Sequence, residues 1–451
     1  MFFLNTGANL TINGVTITKG NGTGTVSGVG GGILNLGTLA LTNSIVSGNT
    51  ASSQGGGIYN EIGTLTLTNS TVSGNTARFD GGGISNLGTL TLNFSTVSGN
   101  SAENGGGISA INSGTTTLTN STVSGNMAAA GGGGIFNSQQ GTTTLTNSTV
   151  SGNMAATGGG IFNSSGTTTL TNSTVSGNTA TGGGGGGGGI NNSGTLNLTS
   201  VTVTQNSSTD TNCTSCAGGI FNLDSSGGIA NLKNTIVAGN TVANASSSPD
   251  FRGTVAAGSS FNLIGNGQGT TGISNGDANS NQVGVDPKLD PTLQLNGGTT
   301  ANHALLTGSP AIDKGNSFGL TTDQRGFTRP VNNFTIPNAT GGDGADIGAF
   351  EVQLAPTAAT VSVGGRVMTA SGRGIRNVVI RLTDSEGNLR TAISTSFGYY
   401  RFNDVEAGAT YILTASGKRF TFSQPSQVLN INDETDAVNF IADSKKSIRA
   451  F

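Results

Sequence analysis

The stretch TTTLTNSTVSGNMAA occupies residues 115–129 and recurs letter for letter at 142–156. Two markers show that it belongs to a longer repeat. The isoleucine after a glycine run falls at 33, 58, 84, 108, 135, 161, 190 and 220, and the asparagine of SGN falls at 49, 75, 100, 126, 153 and 178. Both markers keep one interval, so the sequence is built from units of about 25 residues.

Within a unit, apolar and polar residues alternate. In residues 63–75, Leu65, Leu67 and Val72 are apolar, and threonines occupy the positions between and beside them. This period of two is typical of half-buried strands, and no stretch shows helical spacing. Each unit therefore contains about three short strands, near GIxN, TLTLTN and STVSG. A unit of this size cannot bury its own apolar side chains, but stacked units can.

The sequence therefore predicts an all-β fold whose residues 1–240 form a right-handed parallel β-helix, with aliphatic columns in its interior. Asparagine tolerates the left-handed backbone of sharp turns, and stacked amides can pass hydrogen bonds from coil to coil. The closing asparagines are therefore predicted to form a turn ladder, and they are Asn75, Asn100, Asn126, Asn153 and Asn178.

Charge is scarce along the whole chain. Charged residues make up 9% of it and the net charge is −3, which gives no field to attract nucleic acid. No apolar run is long enough for a membrane-spanning helix. The opening MFFLNTGANL lacks the basic and apolar regions of a signal peptide, and residues 9–21 already read as a repeat. We therefore expect the natural N-terminus to be truncated in this chain.

The repeat GGGIxN…TLTNSTVSGN resembles the coils of bacterial surface β-helix proteins, including the polymorphic outer-membrane proteins. This resemblance covers roughly residues 9–240. It implies a bacterial protein that is exported or displayed on the cell surface, and it implies no particular activity.

Residues 241–355 have a different composition and are predicted to form irregular coils and a cap. The motifs SPAIDKG, TDQRGFTRP and DIGAFE resemble the end of bacterial proteins with a choice-of-anchor Q domain, an exported family without catalytic residues to transfer. The charged residues here are Asp313, Asp323, Arg325, Arg329, Asp346 and Glu351. We expect arginine–carboxylate pairs that tie the final coils together, with a catalytic or Ca²⁺ site as the alternative.

A weaker Ca²⁺ candidate lies at Asp277, Asn279 and Asn281, which alternate along SNGDANSNQ. It lacks the glycine and the terminal glutamate of the complete calcium-loop pattern, so a solvated turn is the preferred interpretation.

Residues 357–443 alternate through about six predicted strands separated by turn motifs. Val378, Ile380, Leu382, Tyr400, Phe402, Tyr411 and Leu413 are predicted to face a core. The string GRV…GIRNVVIRLTD…FGYYRF resembles the carboxypeptidase regulatory-like domain. The resemblance implies a small transthyretin-like β-sandwich that is usually a non-catalytic spacer or binding accessory. Residues 444–451 are predicted to be a tail.

The sequence contains few candidate catalytic residues. Residues 1–200 contain only five charged side chains, namely Lys19, Glu61, Arg78, Asp80 and Glu103. The single histidine, His303, is expected to be a surface or cap residue, and it excludes a multi-histidine metal site. Cys213 and Cys216 are expected to form a local disulfide, with a redox motif as the alternative. No metal or other cofactor is expected.

The sequence thus favours a non-enzymatic, exported surface protein of the adhesin type, with glycans, extracellular matrix or other cells as partners and with no nucleic acid or membrane span. The alternative is a carbohydrate-active enzyme, a polysaccharide lyase or glycosidase, which needs paired carboxylates. A minor alternative is ice binding, because Thr64/Thr66/Thr68 and the matching threonines at 115–119, 142–146 and 167–171 should form a regular outward array.

Overall fold

The computed structural model describes residues 1–22, 28–182, 186–211, 213, 216–243, 248–354, 360–384, 387–431 and 433–445, with side chains up to 443. These residues belong to two compact units, Met1–Gln353 and Leu354–Phe451. The first unit thus contains both the regular repeats and the region predicted as irregular coils and cap. The predicted tail lies outside the described residues from 446 onward.

The first unit is a parallel β-solenoid with three sheets that run along its length. One sheet, which we call the Ile sheet, takes one strand from each coil, and its eleven strands are Phe2–Leu4, Ile33–Asn35, Ile58–Asn60, Ile84–Asn86, Ile108–Ala110, Ile135–Asn137, Ile161–Asn163, Ile190–Asn192, Ile220–Asn222, Phe251–Thr254 and Thr270–Thr271. Its strands pair in parallel, as in Ile58 with Ile84. The all-β solenoid is therefore confirmed. Its right hand stays a prediction.

The second sheet, the Thr sheet, usually takes two strands from each coil. Its eighteen strands are Asn9–Asn13, Thr16–Thr18, Thr38–Thr42, Ile45–Ser47, Thr64–Thr68, Thr71–Ser73, Thr89–Asn93, Thr96–Ser98, Thr115–Thr119, Thr122–Ser124, Thr142–Thr146, Thr149–Ser151, Thr167–Ser176, Thr195–Thr204, Ile229–Lys233, Ile236–Ala238, Leu263–Ile264 and Gln282–Val283. We call the TLTLT-type strand of each coil the long strand and the TVS-type strand the following strand.

A third sheet, the short sheet, was not predicted. Its eight strands are Thr50–Ala51, Thr76–Ala77, Ser101–Asn104, Met127–Gly131, Met154–Ala155, Thr179–Ala180, Ser207–Ser208 and Thr241–Val242. Most are two residues long, which is too short for a periodic signal in the sequence. A 3₁₀ turn occurs at Asp224–Ser226.

The interior of the solenoid consists of side-chain columns that the registered strands create. The marker isoleucines from Ile33 to Ile220 are completely buried, and the leucines and valines of the Thr sheet pack against them. Each such side chain contributes roughly 1.5–3 kcal/mol on burial. Thr116, Thr143 and Thr168 also lie in this interior, because they occupy the inward phase of a TTTLT strand. The hydroxyls of Thr116 and Thr168 accept hydrogen bonds from Asn86 and Asn137.

The glycine run before each isoleucine is required by the corner it forms. Gly81 has a φ of +67°, which favours glycine. At Gly82, a Cβ atom would lie 2.4 Å from the carbonyl oxygen of Ser101 in the next coil. The run therefore lets one coil contact the next through the backbone alone.

Beyond residue 285 the chain leaves the coil. Residues 286–353, which we call the return segment, fold back along the outward face of the following strands rather than only closing the end. Thr149 Oγ1 donates to Ala301 O at 2.6 Å, and Thr174 Oγ1 donates to Gln324 Oε1 at 2.6 Å. A second apolar cluster, with Ile236, Leu263 and Ile347, continues this contact.

The second unit contains two four-stranded sheets. One comprises Thr360–Thr369, Tyr399–Glu406, Phe420–Phe422 and Phe440–Lys445, and the other Val379–Thr383, Leu389–Ile393, Ala409–Ser416 and Ser426–Ile431. These eight strands form a small β-sandwich, two more strands than predicted. The seven residues predicted to face its core are all buried.

Candidate functional site

The SGN asparagines form a continuous buried ladder. The backbone N–H and the Nδ2 group of Asn75 both donate to Oδ1 of Asn100, at 2.9 Å each, and Asn100 repeats the pattern onto Asn126. The same Nδ2 of Asn75 also donates to the Val46 carbonyl of the preceding coil. Equivalent bonds connect the whole series, which comprises Asn49, Asn75, Asn100, Asn126, Asn153, Asn178, Asn206 and Asn240.

The ladder extends beyond the five asparagines predicted to form it. The backbone N–H and Nδ2 of Asn178 donate to Oδ1 of Asn206, at 3.0 and 2.8 Å, although the coil from 178 to 206 is longer than its predecessors. Asn206 follows TQ and Asn240 follows AG rather than SG. The ladder position therefore depends on the corner geometry and not on the exact motif.

The left-handed backbone predicted for these asparagines is wrong, and it belongs to other residues. Gly74 has a φ of +61°, Gly177 a φ of +65° and Asn69 a φ of +49°. An asparagine of the ladder must direct both of its amide atoms along the coil stack. The neighbouring residues therefore adopt the left-handed backbone of the corner. The asparagines without a positive φ are Asn75, Asn100, Asn126, Asn153 and Asn178.

The ladder ends on a carboxylate. The backbone N–H and Nδ2 of Asn240 donate to Asp250 Oδ1, at 2.7 and 2.8 Å. On its other side, Asp250 Oδ2 accepts from the backbone N–H of Asn266 at 2.6 Å. Burial raises the pKa of Asp250 despite these hydrogen bonds, which act to lower it. Donors approach both oxygens, so only a group with two acceptors satisfies this position.

Two further ladders end in the same way. In the Ile sheet, Asn192 donates to Asn222, and Asn222 donates to Asp224 Oδ1 at 2.6 Å. At the corner between the long and following strands, a series of serine hydroxyls accepts from the preceding coil at positions 70, 95, 121, 148 and 173. In later coils Asn262 and Asn281 occupy this corner.

This third ladder decides how the Ca²⁺ candidate is arranged. Asp277 accepts from Nδ2 of Asn281 at 3.0 Å and from the backbone N–H of Asn279 at 2.9 Å. Oδ1 of Asn281 already accepts from Asn262. Burial acts to raise the pKa of Asp277, but the hydrogen bonds from Asn281, Ser274 and Asn279 outweigh it and lower the pKa. Asp277 thus ends a ladder, and its neighbours direct N–H groups at it.

The charged residues of the return segment are brought together and buried. Arg329 Nε donates to Glu351 Oε2 at 2.8 Å, and both side chains are fully buried. Arg325 Nη2 lies 2.7 Å from Asp323 Oδ2, and its guanidinium stacks 3.7 Å from the centre of the Phe350 ring. These pairs join loops of the return segment to one another. Arg329 also reaches Asn172 of the coil at 3.4 Å.

The remaining carboxylates of this set accept backbone N–H groups. Asp346 accepts from the N–H groups of Asp313 and Val352, and Asp313 accepts from the N–H of Asn333. Burial, and next the Glu351 carboxylate, raise the pKa of Asp346 to about 8. Burial also raises the pKa of Glu351, against the lowering by Arg329, and it raises that of Asp313.

His303 lies inside the contact between the return segment and the coil. Its ring joins Ser176 Oγ, at 2.8 Å from Nε2, to the Asp290 carbonyl, at 2.7 Å from Nδ1. It is 1% exposed, and burial lowers its pKa although Asp290 opposes the change. A neutral ring with its proton on Nδ1 satisfies both partners.

Cys213 and Cys216 are joined by a disulfide. Their sulfur atoms and a carboxylate oxygen of Asp210 lie within 4.8 Å of one another. The bonded sulfurs lack the thiolate that a metal ion would require. The three residues therefore offer no metal site in this form.

The outward face of the long strands carries the predicted threonine array. Thr64 aligns with Thr89, Thr115, Thr142 and Thr167, and the columns of Thr66 and Thr68 follow in the same register. Five strands give three outward positions each, and Asn93 is the one position that is not threonine. These side chains are half-buried or exposed. This holds even in the coils whose following strands contact the return segment.

The second unit matches a known domain family. Residues 362–442 match the carboxypeptidase regulatory-like domain. This match covers the sandwich described above and confirms the C-terminal resemblance. A search of curated proteins finds no matching relative. In the described part of the chain, no helix has the length and apolar character needed to cross a membrane. A β-solenoid followed by a carboxypeptidase regulatory-like domain is compatible with a structural surface protein.

Proposed function

We propose that the chain is a non-catalytic scaffold exported to a bacterial cell surface, with a role in adhesion, spacing or matrix building. One observation carries the proposal. Amide and hydroxyl ladders pair many of the buried polar groups of the coil, and the outward positions of the Thr sheet are mostly threonine, serine and asparagine. Such a surface supplies many hydrogen-bonding groups and few acids, bases or nucleophiles.

Three features support an extracellular role. The regular coils are nearly free of charge, the described cysteines are joined in a disulfide, and the second unit matches a carboxypeptidase regulatory-like domain. Disulfides persist mainly in oxidising compartments. Glycans, matrix or other cells are the proposed partners because a hydroxyl- and amide-rich surface complements the hydroxyls of sugars.

Two measurements test the proposal with the full chain. Binding to glycan arrays and to whole cells is expected, and incubation with a panel of neutral and acidic polysaccharides is expected to release neither reducing ends nor unsaturated uronates. Release of either product would replace the scaffold with a carbohydrate-active enzyme. Absence of all binding would remove the adhesive role.

The register of the threonine array favours ice binding as a second candidate. Rigid parallel strands hold the hydroxyls about 4.8 Å apart between coils and about 6.7 Å apart along a strand, without a charged residue among the fifteen positions. Thermal hysteresis of the full chain is the measurement. Activity that Thr117→Lys abolishes would support this candidate, and absence of hysteresis in the unmodified protein would eliminate it.

A further inference from the structure

Three of the five charged side chains in residues 1–200 gather at one corner of the solenoid. Arg78 and Asp80 follow the short strand Thr76–Ala77, and Glu103 lies in the short strand of the next coil. Thr76 pairs with Ser101, so these segments are stacked neighbours. The sequence did not indicate this convergence, because the three residues occupy different positions relative to the repeat markers.

A shallow open groove of about 470 Å³ runs across this corner. Small side chains form its floor, and they are Ala77, Ser101, Ala102, Ala129 and Ala130. Arg78 and Glu103 complete its lining. The corresponding corner in coils on either side carries small or uncharged residues, such as those at 52–54 and 155–157. The charges at this corner therefore distinguish it from these neighbouring corners.

An aromatic ring lies next to one of the lining residues, Arg78. The Arg78 guanidinium is 4.9 Å from the centre of the Phe79 ring, and Phe79 remains 40% exposed. An exposed ring next to a few directional polar groups is the usual composition of a site that binds a partly apolar, partly polar ligand.

The corner is held rigidly by its backbone. The N–H of Phe79 donates to Ser53 O at 3.0 Å, and the N–H of Asn104 donates to Phe79 O at 2.8 Å. Asp80 accepts from Gln54 Nε2 at 2.8 Å and from Asn104 Nδ2 at 3.4 Å. The Asp80 carboxylate is thus already hydrogen-bonded to the coils on either side, and it helps to hold the corner in place.

The other two charged groups remain available. Among the described residues, the ion pairs within 4.0 Å involve Arg325, Arg329 and Arg401, and none involves Arg78 or Glu103. Arg78 can donate to a ligand, and Glu103 can accept. With Asp80 the corner carries one positive and two negative groups, so its charge disfavours an acidic ligand.

We infer that this groove is a binding subsite for a neutral glycan. The C–H face of a sugar ring packs against Phe79, Arg78 donates to ring or hydroxyl oxygens, and Glu103 accepts from hydroxyl groups. The small floor residues leave room for the chain of sugars to continue toward the coil of Ala129. This inference rests on the proposed adhesive role and deepens it by naming a site and a ligand class.

The test measures binding of the full chain to immobilised xyloglucan, mannan and β-1,3-glucan, with polygalacturonate as the acidic comparator. Phe79→Ala is expected to raise the Kd for the bound neutral polysaccharide roughly tenfold. Packing on an aromatic ring contributes up to about 1.5 kcal/mol, and about 1.4 kcal/mol corresponds to a factor of ten in Kd. Glu103→Gln is expected to weaken binding severalfold, and Phe79→Tyr, which keeps the ring, is expected to retain it.

Matched controls come from the neighbouring coils. Phe94→Asn also removes an exposed ring, and Glu61→Gln also neutralises an exposed carboxylate, but these residues follow the strands Thr89–Asn93 and Ile58–Asn60 at other corners of the coil. Both are expected to leave the Kd unchanged. Circular dichroism of each variant shows that the coil remains folded.

The outcomes separate the two proposals. Preference for polygalacturonate, no binding to any neutral polysaccharide, or equal weakening by the control variants would overturn the groove assignment. If groove variants bind like the unmodified protein while glycan binding persists, the site is wrong and the adhesive scaffold stands. Release of cleaved sugars would instead overturn the non-catalytic function.

Discussion

The asparagine ladder makes a quantitative prediction for Asn126→Ala. The Asn126 side chain is 1% exposed and takes part in four hydrogen bonds. Its Oδ1 accepts from the backbone N–H and the Nδ2 of Asn100, and its Nδ2 donates to Val97 O and to Asn153 Oδ1, all at 2.9–3.0 Å. Truncation to alanine removes all four bonds at once.

The losses are not equal. Asn100 Nδ2 keeps its bond to Val72 O, and Asn153 Oδ1 keeps the backbone N–H of residue 126. The backbone N–H of Asn100 loses its partner inside the coil. An unsatisfied buried donor costs about 1–3 kcal/mol, and each of the other bonds contributes about 1 kcal/mol. We expect a loss of about 4–6 kcal/mol in the free energy of unfolding.

The control is Asn69→Gly. Asn69 is exposed and has a φ of +49°, which glycine also adopts, so the expected loss is under about 1 kcal/mol. Urea denaturation of the full chain, followed by far-ultraviolet circular dichroism, gives the free energy. Hydrogen exchange of peptides within residues 97–153 locates the effect, since coils of a solenoid can open separately. Equal stability of the two variants, or unchanged exchange at Asn100, would refute the reasoning.

Three further predictions concern other contacts. Asp250→Asn is expected to destabilise the protein by about 1–3 kcal/mol in urea denaturation. The new side-chain amide would direct an N–H group at the backbone N–H of Asn240 or Asn266. An unchanged denaturation midpoint would show that the ladder does not need a carboxylate at its end. Phe94→Asn is expected to stabilise the coil by about 0.5–1 kcal/mol, since Phe94 has a φ of +49° where neighbouring coils have asparagine; a lower melting temperature would contradict this. Burial lowers the pKa of His303, so the unfolded chain takes up the proton first and stability falls as the pH drops below about 6.5. His303→Gln should lose this part of the pH dependence, measured as hydrogen exchange at Ser176 between pH 7.5 and 5.5; an identical pH profile in both proteins would exclude the histidine.

Much of the fold could be predicted because its determinants are local and repeated. Leu65, Leu67 and Val72 alternate with polar residues, and stacking at a fixed interval places each in an interior column. The inward Thr116 follows from the same alternation, although threonine is normally counted as an outward residue. The short sheet escaped prediction because a two-residue strand such as Thr76–Ala77 has no periodicity of its own.

The sequence predicted the amide ladder but did not show how the ladder continues and ends. Asn178 passes its hydrogen bonds to Asn206 across a longer coil without an SGN motif. Asp250 accepts from Asn240, ten positions before it, although no SGN-type motif marks Asp250 in the sequence. Likewise, Asp277 reaches Asn281 through a local turn that its sequence describes equally well as a calcium-like loop. At both carboxylates the deciding fact is which donors face the oxygens.

By itself, the sequence determined the coil, its interior columns and the hydroxyl-rich outward strands, because these depend on alternation and on one repeat length. Only the tertiary structure decided which outward strands stay exposed. Thr96 and Thr149 both precede a Val-Ser-Gly-Asn motif, yet Thr96 remains half-exposed and Thr149 is 1% exposed because it donates to Ala301, 152 residues away. The physical reason is that docking of the return segment depends on its own apolar and buried-charge contacts, which no repeat encodes.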